Sequence, residues 1–126
     1  MQSKKVYFVS GIDTDAGKSV VTGLLARDMN AHNERTITQK FIQTGNTGIS
    51  EDIELHRRIM GIPLQQVDLD GTTCPIIFTY PSSPQLAAEI DHREIDLSLV
   101  EKSTAKLLES YDTVLLEGAG GLFVPL

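Results

Sequence analysis

The feature that most constrains this chain is a change of period near its start. Val6-Tyr7-Phe8-Val9 is a short apolar run bounded by Lys4-Lys5 and by Ser10-Gly11. Its length and its β-branched and aromatic content predict a buried strand. From Lys18 onward, Val20, Val21, Leu24, Leu25 and Met29 recur at helical spacing, so a helix is expected from about Gly17 to Ala31. Arg35 to Lys40 reads as a second, more polar strand. Strand, glycine loop, helix and strand open a βαβ unit with a parallel sheet.

The loop between strand and helix, SGIDTDAGKS, has the make-up of a phosphate cradle. A phosphate needs several backbone N–H donors converging on one point with the positive end of a helix behind them. Gly17 lets the chain come close, Lys18 reaches terminal phosphates and the Ser19 hydroxyl can bind magnesium. A glycine-rich turn with a chance Lys-Ser is the plainer explanation. The position after an apolar strand and before an apolar helix favours nucleotide binding. Two details are odd: five residues separate Gly11 from Gly17, and Asp13 and Asp15 stand where a polyanion should lie.

Further along, QTGNTGIS (43–50) is a loop by composition. Ser50 can cap a helix through Met60, with Glu51 and Asp52 in its first turn. There Asp52 reads as a dipole partner or as a metal ligand. Residues 63–84, with four of the five prolines, suit no single element. Ser98 to Glu101 has the S-x-x-E form of a capping box. Val100, Thr104, Leu107, Leu108 and Tyr111 then make one helical face. Thr113 to Leu116 is another short buried strand, running into EGAGG, where Glu117 is either a carboxylate facing water or an acidic partner for magnesium. Lys40 ends the second strand. Strand ends on one edge of a parallel sheet face a binding crevice, so Lys18, Lys40 and Glu117 are expected to converge.

Composition narrows the function classes. Eleven basic against 17 acidic residues give a formal charge of −6, which supplies no basic footprint for nucleic acid or anionic membrane. A single cysteine, Cys74, has no disulfide partner and is expected to be a small apolar filler. His32, His56 and His92 show no partner spacing and are expected at the surface. No apolar run is long enough to span a bilayer, and the first residues lack a signal-peptide core, so a cytoplasmic setting is expected. Without repeats or linkers, residues 1–126 read as a single domain. Its ending just after a glycine turn suggests the N-terminal portion of a longer protein, with C-terminal parts absent.

GIDTDAGKS, KFIQTG (40–45), PSSP (81–84) and LLEGAGG (115–121) together resemble the dethiobiotin synthetases, ATP-dependent enzymes of the P-loop NTPase superfamily. The resemblance runs along the whole chain, and the long glycine loop is itself one of its traits. It implies an α/β fold, a P-loop NTPase-like three-layer sandwich with a parallel sheet flanked by helices. It also implies an ATP- and Mg²⁺-dependent closure of a cyclic urea from 7,8-diaminopelargonic acid and CO₂, in a homodimer. Carried over by position, Asp15, Ala16, Gly17, Lys18, Ser19 and Val20 form the nucleotide loop, with Glu117, Gly118, Ala119 and Gly120 as a second segment at the nucleotide. Ser19, Asp52 and Glu117 are the metal ligands, Lys40 and Lys18 the catalytic lysines, and Thr14, Lys40 and Thr44 substrate contacts. The loop acids then make sense, because a loop that serves a polyanion and a diamine can carry carboxylates. Three departures stand out. Phe41 replaces the usual proline, a change expected to tilt the lysine, Thr44 replaces serine, and Asp15 is often glutamate. The alternatives are a related amidoligase such as a cobyrinate diamide synthase, or a nucleotide-switch ATPase of the partition and septum-placing class. The switch class usually carries a second lysine early in the loop, which is absent here.

Overall fold

Strand β5 (Thr113–Glu117) organises the fold, and all five of its residues are buried. The computed structural model describes residues 3–10, 15–79, 84–91 and 95–118; the side chains of residues 15, 16, 84 and 85 are not among what it describes. Strands β1 (Lys5–Val9) and β2 (Thr36–Lys40) both pair with β5 in parallel, giving the sheet order β1-β5-β2. The register aligns Val9 and Lys40 with Glu117, so all three strands end at one edge. Backbone bonds stitch that edge: Gly118 N–H donates to the Val9 carbonyl at 2.9 Å and Phe41 N–H to the Glu117 carbonyl at 2.9 Å.

Side chains alternate across a strand, and here each face buries a different set. Leu115 packs with Ala26 and Met60, under α1 (Asp15–Ala31) and, beyond the two-residue strand β3 (Gln43–Thr44), α2 (Glu51–Met60). On the opposite face Val114 packs with Ile37 and Leu107, and Leu116 with Val100, Ile42 and Phe78. The short elements α3 (Gln66–Leu69), β4 (Ile77–Phe78) and α4 (Pro84–Ile90) precede α5 (Leu97–Leu107), which covers this second face. The result is the expected parallel sheet flanked by helices. Helices α1 and α2 meet closely at Gly23, where an added Cβ would lie 3.0 Å from the Cβ and Cγ2 of Ile59.

Helix α2 forms as its sequence predicts. Ser50 Oγ accepts from Ile53 N–H at 3.2 Å and donates to Gln43 Oε1 at 2.6 Å, an N-cap worth about 1 kcal/mol. Gly61 closes the helix at φ 75°, a left-handed conformation that costs glycine little. Helix α5 differs from expectation. Its cap is Asp96, whose carboxylate accepts from Ser98 N–H at 3.0 Å; Ser98 lies inside the helix and gives its hydroxyl to Asp96 instead. The stretch 63–84 yields α3 and β4, and β4 pairs in parallel with β3.

Strand β1 is correct in place but not in burial. Val6, Tyr7 and Phe8 are 47, 46 and 48% exposed, because β1 is an edge strand paired only with β5 among the described residues. An apolar run reports strand character, while the number of neighbours decides burial. No helix among the described residues is long and apolar enough to cross a membrane.

Candidate active site

The edge where β1, β2 and β5 end carries a dense cluster of buried charge. Lys18 and Ser19, in the first turns of α1, are 6 and 0% exposed. Lys40 at the tip of β2 and Glu117 at the tip of β5 sit side by side because the register pairs them. Lys40 Nζ lies 2.6 Å from Asp52 Oδ2, 2.9 Å from Glu117 Oε2 and 3.3 Å from the Gly118 carbonyl. These three acceptors match the three hydrogens of an ammonium group. Lys18 Nζ points at the same Gly118 carbonyl, 3.4 Å away. Ser19 Oγ donates to Glu117 Oε2 at 3.1 Å. The expected convergence of Lys18, Lys40 and Glu117 is therefore what the structure shows, and Asp52 joins them from the first turn of α2.

Burial would lower the affinity of Lys40 for its proton, but the charges of Glu117 and Asp52 and their hydrogen bonds more than offset it, and the ammonium is held above its ordinary value. Burial would likewise push Glu117 up; the hydrogen bond from His56 and the charge of Lys40 prevail and hold it down at about 2. With the folded value below the unfolded one, the stabilising contribution of Glu117 is complete above its ordinary value of 4.5 and is lost as pH falls toward 2. Thermal melts of the metal-free protein are expected to show a falling midpoint across that acid window. Glu117→Gln should flatten the fall; an unchanged acid profile in that variant would contradict the assignment.

His56 was expected at the surface and is instead 0% exposed. Its Nε2 lies 2.8 Å from Glu117 Oε1 and its Nδ1 2.6 Å from Thr38 Oγ1. Arg57 is equally hidden, forked onto Asp68 at 2.9 and 2.8 Å. A signal for both was present: Ile53, His56, Arg57 and Met60 follow the spacing of one helical face, and its two ends are apolar. His32 is exposed as expected, and His92 lies outside the described residues. Cys74 is buried, and burial pushes its thiol up to about 12, which fits an inert filler.

Of the other predicted site residues, Gly17 is exposed and Val20 is 40% exposed on α1. Thr44 is half-buried at the end of β3. Thr14, Ala119 and Gly120 lie outside the described residues, as do the side chains of Asp15 and Ala16. Phe41 stacks edge-to-face on Phe8 at 6.3 Å. Its N–H makes the bond to the Glu117 carbonyl, which a proline could not supply.

The oxygens of Ser19, Asp52 and Glu117 are hard donors of the kind magnesium takes. Asp52 Oδ2 is buried and, beyond its ion pair with Lys40, meets no hydrogen-bond donor among the described residues. No group of three or more His, Cys, Asp and Glu among the described residues could hold a metal. Two carboxylates and a hydroxyl fit a cation whose remaining ligands are phosphates and water.

A parallel sheet between helices, with a Lys-Ser turn opening the first helix and an acid ending the central strand, defines a P-loop NTPase-like α/β protein. The chain belongs to the AAA domain family, whose sequence model matches residues 5–126. It is similar to ATP-dependent dethiobiotin synthetase BioD of Chlorobaculum tepidum, 59% identical over 97% of this chain and 51% of that protein. It is likewise similar to the BioD 2 synthetases of Haemophilus influenzae (54% identity, 96% of this chain, 63% of that protein) and Pasteurella multocida (53%, 96%, 57%). The chain thus spans between about half and just under two thirds of these curated relatives.

Proposed function

We propose that this chain carries the phosphoryl-transfer site of a dethiobiotin synthase, which closes the ureido ring of dethiobiotin from 7,8-diaminopelargonic acid, CO₂ and ATP. The observation that carries the reading is the set of strand tips. They hold Lys18 and Lys40 at one carbonyl, with Ser19, Asp52 and Glu117 around them. The chain's likeness to ATP-dependent dethiobiotin synthetases supports the use of ATP and the product.

The chemistry suits these residues. One amine takes up CO₂ as a carbamate, whose oxygen attacks the γ-phosphorus of ATP and releases ADP. The second amine then attacks the carbonyl of the mixed anhydride, expelling phosphate and closing the ring. Carbamate and triphosphate are both anions, so aimed cations are the main requirement. Lys18 neutralises the terminal phosphates, and Lys40 the carbamate and its phosphorylated form. Ser19, Asp52 and Glu117 hold Mg²⁺, which when bound neutralises phosphate charge. Asp15, Ala16, Gly17 and Val20 line the nucleotide loop, and Gly118, Ala119 and Gly120 approach the nucleotide from β5. Thr14 and Thr44 contact the diamine. The same reading includes a cytoplasmic homodimer with no nucleic-acid or membrane partner.

Phosphate release measured on the protein that carries this chain tests the proposal. Release is expected only when ATP, Mg²⁺, the diamine and bicarbonate are all present. Steady release with ATP and Mg²⁺ alone would sink it in favour of a nucleotide switch.

A further inference from the structure

The proposed reaction makes no use of His56 and Arg57, the buried polar pair on α2. Arg57 Nη1 donates to Thr38 Oγ1 at 2.7 Å, and that oxygen lies 2.6 Å from His56 Nδ1. A hydroxyl has one hydrogen and two lone pairs, and a guanidinium can only donate. Arg57 takes one lone pair of Thr38, and Nδ1 meets the hydroxyl through its hydrogen or its second lone pair. An ionised carboxylate can only accept, so Nε2 carries a hydrogen and donates it to Glu117 Oε1 at 2.8 Å. The bonded row runs from Arg57 through Thr38 and His56 to Glu117, and Arg57 is itself fixed by its fork on Asp68.

Hydroxyl, imidazole and carboxylate in a row have the residue types of a hydrolytic triad. Thr38 and His56 are both 0% exposed, so no substrate atom reaches the hydroxyl. The row serves its other end.

We propose that His56 is a positioning residue for Glu117. By occupying Oε1 it leaves Oε2 turned toward Ser19 Oγ and Lys40 Nζ. Any rotation of the carboxylate breaks the imidazole bond as well as those two. The functional value of that orientation rests on the reading of Glu117 as a cation ligand, and imidazole-to-carboxylate contacts behind a metal ligand commonly fix its geometry.

Two measurements test the assignment. Ring ¹⁵N shifts of His56 in the metal-free protein are expected to show hydrogen on Nε2; an Nε2 without hydrogen overturns the proposal. Mn²⁺ affinity in the presence of ADP, followed by electron paramagnetic resonance, is expected to fall ~10–100-fold in His56→Leu. His56→Gln, whose amide can still donate toward Oε1, should recover most of it, and metal-free ADP affinity should stay unchanged in both variants. Equal Mn²⁺ affinity in native protein and His56→Leu overturns the proposal, and so does an equally large loss of metal-free ADP binding. Should the native protein with ADP take up no Mn²⁺ at all, the functional reading of Glu117 fails, and the ring-hydrogen measurement alone decides how its carboxylate is held.

Discussion

Lys40→Met is expected to destabilise the protein by about 3–5 kcal/mol and to lower turnover by roughly 10²–10³-fold. The side chain is 2% exposed and faces Asp52 and Glu117, the latter at 0%. Methionine fills a similar volume, so packing is not the issue. Its thioether removes the ammonium from Asp52 Oδ2 and leaves Glu117 Oε2 with the Ser19 hydroxyl among its described partners. A buried carboxylate deprived of its counter-charge carries its desolvation cost uncompensated. Urea melts check the first figure, and a double-mutant cycle with Glu117→Gln checks its cause. The double variant should lose less than the sum of the two single losses, since neutralising Glu117 removes part of the stranded charge. Strict additivity, or a loss below about 1 kcal/mol for the single variant, would show that Lys40 does not stand between these carboxylates in solution.

Arg57→Leu should be comparably severe, at about 3–5 kcal/mol. Arg57 is 2% exposed, grips Asp68 in a fork and donates to both Oγ1 and the carbonyl of Thr38. Asp68 keeps Thr73 Oγ1 and Gln65 N–H as donors, each at 2.7 Å, but loses its charge partner. Arg57→Lys separates charge from shape. An ammonium restores the charge yet cannot span two carboxylate oxygens and two Thr38 acceptors at once, so a loss of roughly 1–3 kcal/mol should remain. Chemical denaturation of the pair measures this. A lysine variant as stable as the native protein would mean that the fork contributes nothing beyond its charge.

The elements most legible in the sequence were those whose signals are local. Ser50 and Gly61 bracket α2 because a hydroxyl and a missing Cβ act within one turn of the chain. The start of α1 is signalled by a change of period, and β5 by an apolar run with an acid at its end. The lysine and the glutamate of the site were legible for the same reason, since each terminates its own strand. His56 was not, because its type suggested solvent while its spacing placed it between Ile53 and Met60. Type outweighed position, and position was right. The cap of α5 differed on a smaller scale: the S-x-x-E form pointed to Ser98, and the carboxylate of Asp96, two residues earlier, takes the role.

By itself the sequence determined the order of the elements, the glycine loop with its lysine, and which residues stand at strand tips, since backbone preference and side-chain period act over a few residues. Only the tertiary structure decided that β5 enters between β1 and β2, that β1 pairs with β5 alone among the described residues, and that Glu117 is shared by Ser19, Lys40 and His56. Those contacts join residues 61 to 98 positions apart, and no local preference encodes which buried charge will meet which. The pairing is fixed when desolvated groups must find partners in the space that the sheet register leaves them.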